Sequence, residues 1–500
     1  MLNKNILFAI LFSFLIAGAV AVRLYHFDYP VLDWHSWRQA DTSAVSRNFV
    51  NYGFDILHPK FDDLSKNVSL LDNPKGYRFV EFPIYNILQA GLFIFFPKFT
   101  IEEWGRLISI ISSIGAIVFL YLFVSKYVSR QAAFWAAFLY AFAPYSVYFG
   151  RTILPDQMMV MLMLGGIYFF DAWLGVKPFF NYKFLLAIIF TALAVLIKPF
   201  VLFFGFIFLY LAWKKFGIAL FKRWELWIFG IIAVLPFILW RLWMLQYPEG
   251  IPQSNWLFNG NGVRFTGAFL RWIFADRIAS LILGFFGLPF FIIGIIGKIK
   301  KEGLLFIAFL ASSLMYINVI ATGNTQHDYY QLLILPMIAI FFGKGINLVL
   351  TKHKEVFNRF IAVLTIFVCV FFMLALSWYR IRDFYTLQHY EVLGVGKIID
   401  SVIPKGKDIK IIAPFGGDTT FLYYTNRQGW PVVDRPFYQF VDAGADYIVF
   451  VNPSKSDLGL QELFTPVQIG ANYAIFDLTK PTDKGKESMK IERKKDKGKK

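Results

Sequence analysis

A polar and aromatic segment follows the first apolar stretch of the chain and has the sequence Asp33-Trp34-His35-Ser36-Trp37-Arg38-Gln39-Ala40-Asp41-Thr42. Trp37, Asp41 and Val45 are spaced by four residues, which places them on one face of a helix with Arg38 beside them. The acidic side chain of Asp41 and the basic side chain of Arg38 then share one surface. The alternative interpretation is an interfacial amphipathic helix with Trp anchors and a local ion pair.

Two further acids stand at the start of apolar segments. Glu81 precedes Pro83, and Asp156 follows Pro155. Each acid alone is explained as a helix N-terminal residue favoured by the free backbone N–H groups. Carboxylates close to hydrocarbon are costly, however, and therefore tend to be used for function. Taken with Asp41, the two acids predict a site with three candidate catalytic carboxylates at one membrane boundary.

Cationic and aromatic side chains are expected at the same boundary. Arg151 precedes one apolar segment, and His327 with Tyr330 precedes another. Lys198 interrupts an apolar stretch, so it either extends to the interface or meets an anion, and we favour the anion. His327 and Tyr330 could also form a plain interfacial aromatic cap. With Arg38, these residues are the candidate substrate-binding groups.

The candidate residues fit one reaction, the transfer of a sugar from a lipid phosphate. A carboxylate would take the acceptor proton, and cations would stabilise the departing phosphate. Zinc-binding, Walker and nucleophile-elbow motifs are missing from the sequence, so metalloprotease, ATPase and α/β-hydrolase functions lack their required parts. No cofactor is certain. The acids could bind a divalent cation through oxygen ligands, but sequence order does not show whether they converge on one, so metal ligands stay unknown.

The composition indicates a polytopic membrane protein, with 57% hydrophobic residues, 20% aromatic residues and a net charge of +17. A hydrocarbon core about 30 Å thick needs about 20 helical residues. We predict about eleven transmembrane helices, near 5–22, 104–125, 131–149, 156–174, 183–197, 199–213, 224–245, 278–297, 303–320, 330–350 and 357–379. The first span is interpreted as uncleaved rather than as a signal peptide. Since the basic residues cluster between spans, the charge predicts topology and no nucleic-acid partner.

Lys and Arg follow successive even-numbered spans, as at Lys126, Lys214, Lys298, Lys300 and Lys354. The positive-inside rule therefore predicts a cytoplasmic N-terminus in a multi-pass plasma (inner) membrane protein. The longest loops and the C-terminal region are then external, and the chemistry is expected at the outer face.

One apolar run, 82–97, would break this alternation if it crossed the membrane. We interpret it as a helix that lies in the interface or re-enters from the outer side. The alternative is a twelfth span.

The sequence predicts three regions: a membrane catalytic domain at 1–380 with a first outer loop at 23–103, an extracytoplasmic α/β domain at 381–479, and a disordered basic tail at 480–500. Within the α/β domain, strands are expected at 408–413 and 447–451, and helices at 391–402 and 458–464. Cys369 is the single cysteine, so no intramolecular disulfide can form.

The chain resembles the GT-C superfamily of membrane glycosyltransferases, specifically the protein O-mannosyltransferase and lipid A aminoarabinose transferase type. The resemblance covers most of the chain and rests on three segments, namely the one ending at Asp41-Thr42, then Glu81-Phe82-Pro83, then Arg151-Thr152-Ile153-Leu154-Pro155-Asp156. The sequence departs from the family's common pattern where Thr42 follows Asp41 and where Phe82-Pro83 replaces a Lys-Pro-Pro. Asp33 is the rival candidate for the base.

The resemblance implies that Asp41 is the catalytic base and that Lys198, His327 and Tyr330 occupy donor-phosphate and cavity positions. It also implies a polyprenyl-phosphate sugar as donor, transfer with inversion, and a glycan, lipid or protein as acceptor, with the lipid bilayer as a further partner. A transporter or flippase of lipid-linked sugars, and a lipid-linked glycan polymerase or ligase, are the alternatives. A transporter would be expected to show inverted repeats and midplane charges, and the sequence shows neither.

Overall fold

The computed structural model describes residues 4–298, 301–352, 358–404, 406 and 408–497. The predicted basic residues Lys300 and Lys354, the first residue of the span 357–379, and the tail end at 498–500 lie outside these ranges. The membrane part is helical: α1 (Lys4–Arg23), α2 (Ser36–Tyr52), α3 (Ile84–Phe95), α4 (Ile101–Tyr127), α5 (Arg130–Phe142), α6 (Pro144–Phe149), α7 (Asp156–Trp173), α8 (Tyr182–Ile197), α9 (Gly205–Phe216), α10 (Trp224–Met244), α11 (Asn255–Asn259), α12 (Gly267–Leu270), α13 (Leu288–Ile296), α14 (Leu305–Val319), α15 (Ala321–Gln326), α16 (Leu335–Lys352) and α17 (Arg359–Ile381).

Short 3₁₀ segments and one π-helical segment connect or extend these helices. The π-helical segment is Arg271–Ile282, directly before the Leu288–Ile296 helix. The 3₁₀ segments of the membrane part are Pro199–Phe204, Gly217–Lys222, Pro248–Gly250, Val263–Phe265, Asp328–Leu333 and Arg382–Tyr385.

Every predicted span falls on helical structure, which confirms the polytopic helical architecture. Within the described ranges, six helical stretches are long and apolar enough to cross a membrane: Ile6–Arg23, Ile101–Tyr127, Pro199–Lys222, Trp224–Met244, Leu335–Lys352 and Arg359–Tyr385. Other predicted spans are short, as in α8 and α14, or are interrupted, as where Pro144 separates α5 from α6. The count of eleven therefore stays a prediction.

The run 82–97 forms α3, whose 12 residues extend for about 18 Å and are too short to cross a hydrocarbon core of about 30 Å. One side of α3 is bonded to α2, where Asn86 Nδ2 donates to Thr42 O at 2.7 Å. Gln89 joins the same helices by accepting from Ser46 Oγ at 2.7 Å. The opposite side exposes Phe95. This two-sided helix agrees with the interfacial interpretation.

The C-terminal region is an α/β unit built on a five-stranded sheet of order β2-β1-β3-β5-β4. Its strands are β1 (Lys410–Ile412), β2 (Gln428–Trp430), β3 (Ala445–Val451), β4 (Phe464–Ile469) and β5 (Tyr473–Pro481), and its helices are α18 (Glu391–Val402), α19 (Thr420–Tyr424), α20 (Phe437–Asp442), α21 (Lys455–Leu458) and α22 (Asp483–Lys497), with a 3₁₀ turn at Gly459–Glu462. β1 is parallel to β2 and β3, whereas β5 is antiparallel to β3 and β4. The small C-terminal α/β domain is therefore confirmed.

Two local predictions differ from this structure. The helix expected over 458–464 is two short turns, and Phe464 begins β4 because its ring is buried against Phe437. The tail expected to be disordered is helical over Asp483–Lys497. Arg493 of this helix pairs with Asp442 at 2.6 Å, and Gln439 Nε2 donates to Asp496 Oδ2 at 2.9 Å, so the segment lies against α20 although its composition alone predicts disorder.

Residues 23–103, predicted to be the first outer loop, lie between the helices and the C-terminal sheet. Leu64 N donates to Gly429 O at 2.7 Å, which joins the loop to β2 at the sheet edge. Val31 N donates to the Tyr424 hydroxyl at 2.6 Å. The loop that carries Asp41 and the C-terminal domain therefore lie on the same side of the helical part.

Candidate active site

The helix α2 carries the acid that sequence analysis places first. Residues 38–46 are buried without interruption although most of them are polar. A polar helix is stable in a buried position only when its side chains find partners. The residues that bond to these buried side chains therefore show which parts of the chain surround Asp41.

Asp41 is held by two residues from different parts of the chain. Its Oδ2 atom lies 2.9 Å from Arg78 Nη2. Its Oδ1 atom accepts a hydrogen bond from Thr419 Oγ1 at 2.7 Å. Both carboxylate oxygens are therefore fixed in direction by a bonded neighbour.

Arg38, one turn before Asp41, forms an ion pair with Glu81. Burial raises the pKa of the Glu81 carboxyl, but the charges of Arg38, Lys198 and Arg78 outweigh it and hold that pKa below its ordinary value. Glu81 is therefore an anion at neutral pH and acts on its cationic neighbours rather than as a proton donor.

Lys198 continues this line of charges toward α7. Its Nζ atom lies 2.7 Å from Asp156 Oδ1 and 3.9 Å from Glu81 Oε1. It also lies over the rings of Tyr329 and Tyr330, 5.4 and 5.3 Å from their centroids. The sequence-based interpretation that Lys198 meets an anion agrees with this geometry. Its anions are two of the candidate catalytic acids.

A cavity of about 500 Å³ opens beside these pairs. Its wall combines α2, the first-loop segment before Glu81, the loop after α10, the segment before α16 and a turn of the C-terminal domain. The lining residues are Trp37, Arg38, Asp41, Asp63, Asn67, Val68, Arg78, Val80, Pro252, Gln253, Ser254, Trp256, Leu257, His327, Tyr329, Tyr330, Gly416, Gly417, Asp418 and Thr419. Carboxylates, cations, aromatic rings and amides thus face one space, as is typical of a ligand-binding cavity.

His327 lies at the wall with its Nδ1 atom buried and, among the described residues, without a hydrogen-bond partner. Burial, aided by the nearby His35, lowers the pKa of His327 to about 4. The imidazole is therefore neutral at pH 7 and can donate or accept a hydrogen bond. The adjacent Asp328 is held by His35 Nε2 at 2.6 Å, which fixes the turn that carries His327.

Four predicted site residues are absent from the cavity lining, namely Glu81, Asp156, Lys198 and Arg151. The first three lie behind the lining residues Arg38, Tyr329 and Tyr330, whereas Arg151 lies elsewhere. It pairs with Asp33 at 2.8 Å, with both side chains fully buried, and neither residue lines the cavity. Asp33 also accepts from Gln39 Nε2 at 2.7 Å. Asp33, the rival candidate for the base, therefore forms a buried ion pair that joins the segment before α2 to the segment before α7.

Asp63 is a second cavity acid that the sequence analysis did not name. Burial raises its pKa to about 7, although Ser65 donates to it through backbone N–H at 2.7 Å. Among the described residues, no group of three or more His, Cys, Asp or Glu side chains is arranged to hold a metal ion.

Two other residues of the site were also missed. Arg78 lies three positions before Glu81 in a mostly apolar segment, and its charge there was an available signal. Thr419 lies 378 positions from Asp41, and no local pattern connects them.

A family model described as dolichyl-phosphate-mannose-protein mannosyltransferase matches residues 83–243. This range includes Asp156 and Lys198 and begins just after Glu81. No curated protein sequence matches the chain significantly.

Two solved structures show the same architecture. ArnT from Cupriavidus metallidurans bound to undecaprenyl phosphate is 13% identical with a TM-score of 0.60, and the match covers 93% of this chain and 97% of that one. The archaeal oligosaccharyltransferase AglB from Archaeoglobus fulgidus, in complex with an inhibitory peptide and a dolichol-phosphate, is 11% identical with a TM-score of 0.60, covering 97% of this chain and 77% of that one. The chain is thus similar to a mannosyltransferase family model over residues 83–243 and shares its fold with ArnT and AglB.

Proposed function

We propose that the chain transfers a sugar from a polyprenyl-phosphate donor to a glycan, lipid or protein acceptor at the outer face of the plasma membrane, with Asp41 as the base. The observation that carries the proposal is that Asp41 lines one cavity together with Arg38, His327 and Tyr330. The similar structures hold undecaprenyl phosphate in ArnT and dolichol-phosphate in AglB, which supports a lipid-phosphate donor.

The proposed step is a direct displacement. An acceptor hydroxyl oxygen forms the new bond to the anomeric carbon, the bond from that carbon to the phosphate oxygen breaks, and Asp41 takes the hydroxyl proton. The bonding electrons leave with the lipid phosphate. Attack from the side opposite the phosphate inverts the anomeric configuration.

The departing phosphate gains negative charge, and the cavity offers cations and hydrogen-bond donors for it. Arg38, Lys198 and Tyr330 are the proposed contacts, with His327 as a neutral donor or acceptor. Glu81 and Asp156 hold Arg38 and Lys198 in place through the ion pairs described above. Their proposed role is thus to position the cations rather than to transfer a proton.

Arg151 has a different proposed role. Its pair with Asp33 is buried away from the cavity, so Arg151 joins the segment before α7 to the segment before α2 and does not bind substrate directly. The orientation of the chain, with the C-terminal domain extracytoplasmic, rests on the distribution of Lys and Arg.

The test is transfer of label by the purified protein in lipid, with a panel of polyprenyl-phosphate sugars as donors. We expect consumption of at least one donor, with release of the lipid phosphate. The same protein in liposomes is assayed for movement of intact donor across the bilayer. Movement without consumption would contradict the proposal and would favour a flippase of lipid-linked sugars.

A further inference from the structure

A turn of the C-terminal domain enters the cavity that contains Asp41. Residues 416–419 line the cavity, and Thr419 Oγ1 donates to Asp41 Oδ1 at 2.7 Å. Thr419 Oγ1 also lies 3.3 Å from Trp37 O, but a hydroxyl has one proton to donate, and the shorter contact to the charged oxygen is the stronger one. The domain therefore contributes an atom to the immediate surroundings of the base.

The turn has a defined backbone. Gly416 and Gly417 adopt φ values of 63° and 86°, which side-chain-bearing residues rarely adopt. Gly417 N donates to Pro431 O at 3.1 Å, and Thr420 N donates to Asp418 Oδ1 at 2.7 Å. The hydroxyl of Thr419 is thus presented by a bonded turn rather than by a freely rotating loop.

The same region is bonded to α2 on both sides of this contact. Thr420 Oγ1 donates to Ser36 Oγ at 3.1 Å, and Arg47 Nη1 donates to Tyr423 O at 2.8 Å. The helix that carries Asp41 and the helix that begins after Thr419 are therefore held against each other along their lengths.

We infer that Thr419 is a positioning residue for Asp41, and that the C-terminal domain is part of the catalytic centre rather than only a determinant of acceptor choice. A carboxylate with one oxygen paired to Arg78 can still rotate about its Cβ–Cγ bond, and the hydroxyl on the other oxygen fixes that rotation. The acceptor hydroxyl then meets a lone pair of constant direction. This inference rests on the proposed role of Asp41 as the base.

The test compares Thr419→Val, which keeps the shape and removes the hydroxyl, with Thr419→Ser, which keeps the hydroxyl. The matched control is Thr425→Val, because Thr425 is also buried, follows the same short helix, and donates to Leu422 O at 2.6 Å without touching the cavity. Each variant is assayed for kcat and for the KM of the donor.

For Thr419→Val we expect a fall in kcat of about 10- to 100-fold, which is the range for loss of one hydrogen bond to a charged group. The donor KM is expected to change by less than about twofold, and Thr419→Ser and Thr425→Val are expected to retain near wild-type kcat. Unchanged kcat in Thr419→Val would overturn the inference. So would an equal loss in Thr425→Val, or a Ser variant as slow as Val, because each indicates a purely structural effect.

Asp41→Asn in the same assay separates this inference from the function on which it rests. An active Asp41→Asn variant contradicts the proposed role of Asp41. An inactive Asp41→Asn variant beside a fully active Thr419→Val variant contradicts only the role of Thr419.

Discussion

Lys198→Met is the most informative single change at the site, since it removes the cation shared by two acids. The ammonium lies 2.7 Å from Asp156 and 3.9 Å from Glu81. Asp156 is 2% exposed, and its Oδ2 atom has no hydrogen-bond partner among the described residues. Met fills a similar volume without charge, so the change isolates the loss of the cation.

The structure sets the size of the expected effect. Removing one partner of a buried ion pair costs about 3–5 kcal/mol, because the other charge is left without compensation. Asp156 has little access to water, so the full range applies. The apparent Tm in detergent is then expected to fall by roughly 5–10 °C.

Lys198→Met/Asp156→Asn separates stability from catalysis. Neutralising the acid removes the uncompensated charge, so the double variant is expected to regain most of the lost Tm. Sugar transfer should stay at least about 100-fold below wild type in both variants, because the cation proposed for the departing phosphate is absent. The assays are thermal unfolding and transfer with a saturating donor. A wild-type Tm in Lys198→Met, or recovery of transfer in the double variant, would refute the reasoning.

Two further predictions concern pH. The pKa of His327 is lowered to about 4, so the unfolded chain binds a proton between that value and about pH 6.5 while the folded protein does not. The free energy of unfolding should therefore fall by about 2 kcal/mol from pH 6.5 to pH 5. His327→Gln should abolish that part of the loss when unfolding is measured across this pH range. An unchanged dependence of the unfolding free energy on pH in the variant would contradict this prediction. The pKa of Asp63 is raised to about 7, so the dependence of its stability contribution on pH has the opposite direction. The folded protein retains a proton that the unfolded chain releases, and the free energy of unfolding therefore falls as pH rises from about 4 to 7. Asp63→Asn should accordingly raise stability at pH 8 by roughly 2–4 kcal/mol, and no gain over wild type at that pH would count against a raised pKa of Asp63.

Much of the architecture follows from local sequence patterns. The lengths of the apolar runs predict the helices of the membrane part, and the spacing of Trp37, Asp41 and Val45 predicts α2. The run 82–97 is predicted to be a helix lying in the interface, and α3 is a short helix with one side bonded to α2. These predictions succeed because each depends on residues within a few turns of one another.

The details of the site depend on contacts that no local pattern contains. Arg151 and Lys198 are both buried cations near the same boundary, yet Arg151 is paired with Asp33 outside the cavity and Lys198 with Asp156 beside it. Which acid each cation meets is decided by helix packing. The hydroxyl of Thr419 reaches Asp41 because the C-terminal domain docks on the first outer loop, and this docking is a property of the whole fold.

The short elements of the C-terminal domain show a similar limit. α18 agrees with its predicted bounds, because its periodic apolar residues form one buried face. Phe464 follows two helical turns, and its residue type is compatible with a continued helix. It begins β4 instead, because the chain there pairs with β5 at the edge of the sheet. Pairing partners far along the chain decide such cases.

The role of Asp41 is tested most directly by single-turnover transfer with the Asp41→Asn variant. Asp383→Asn is the matched control, since Asp383 is exposed and does not line the cavity. Asp41→Asn is expected to insert, fold and bind the lipid-phosphate donor, with a Tm lowered by the loss of the buried charge pair with Arg78, but to transfer sugar at least about 100-fold more slowly than wild type, while Asp383→Asn is unchanged. Transfer at the wild-type rate by folded Asp41→Asn would contradict the role of Asp41 as the base.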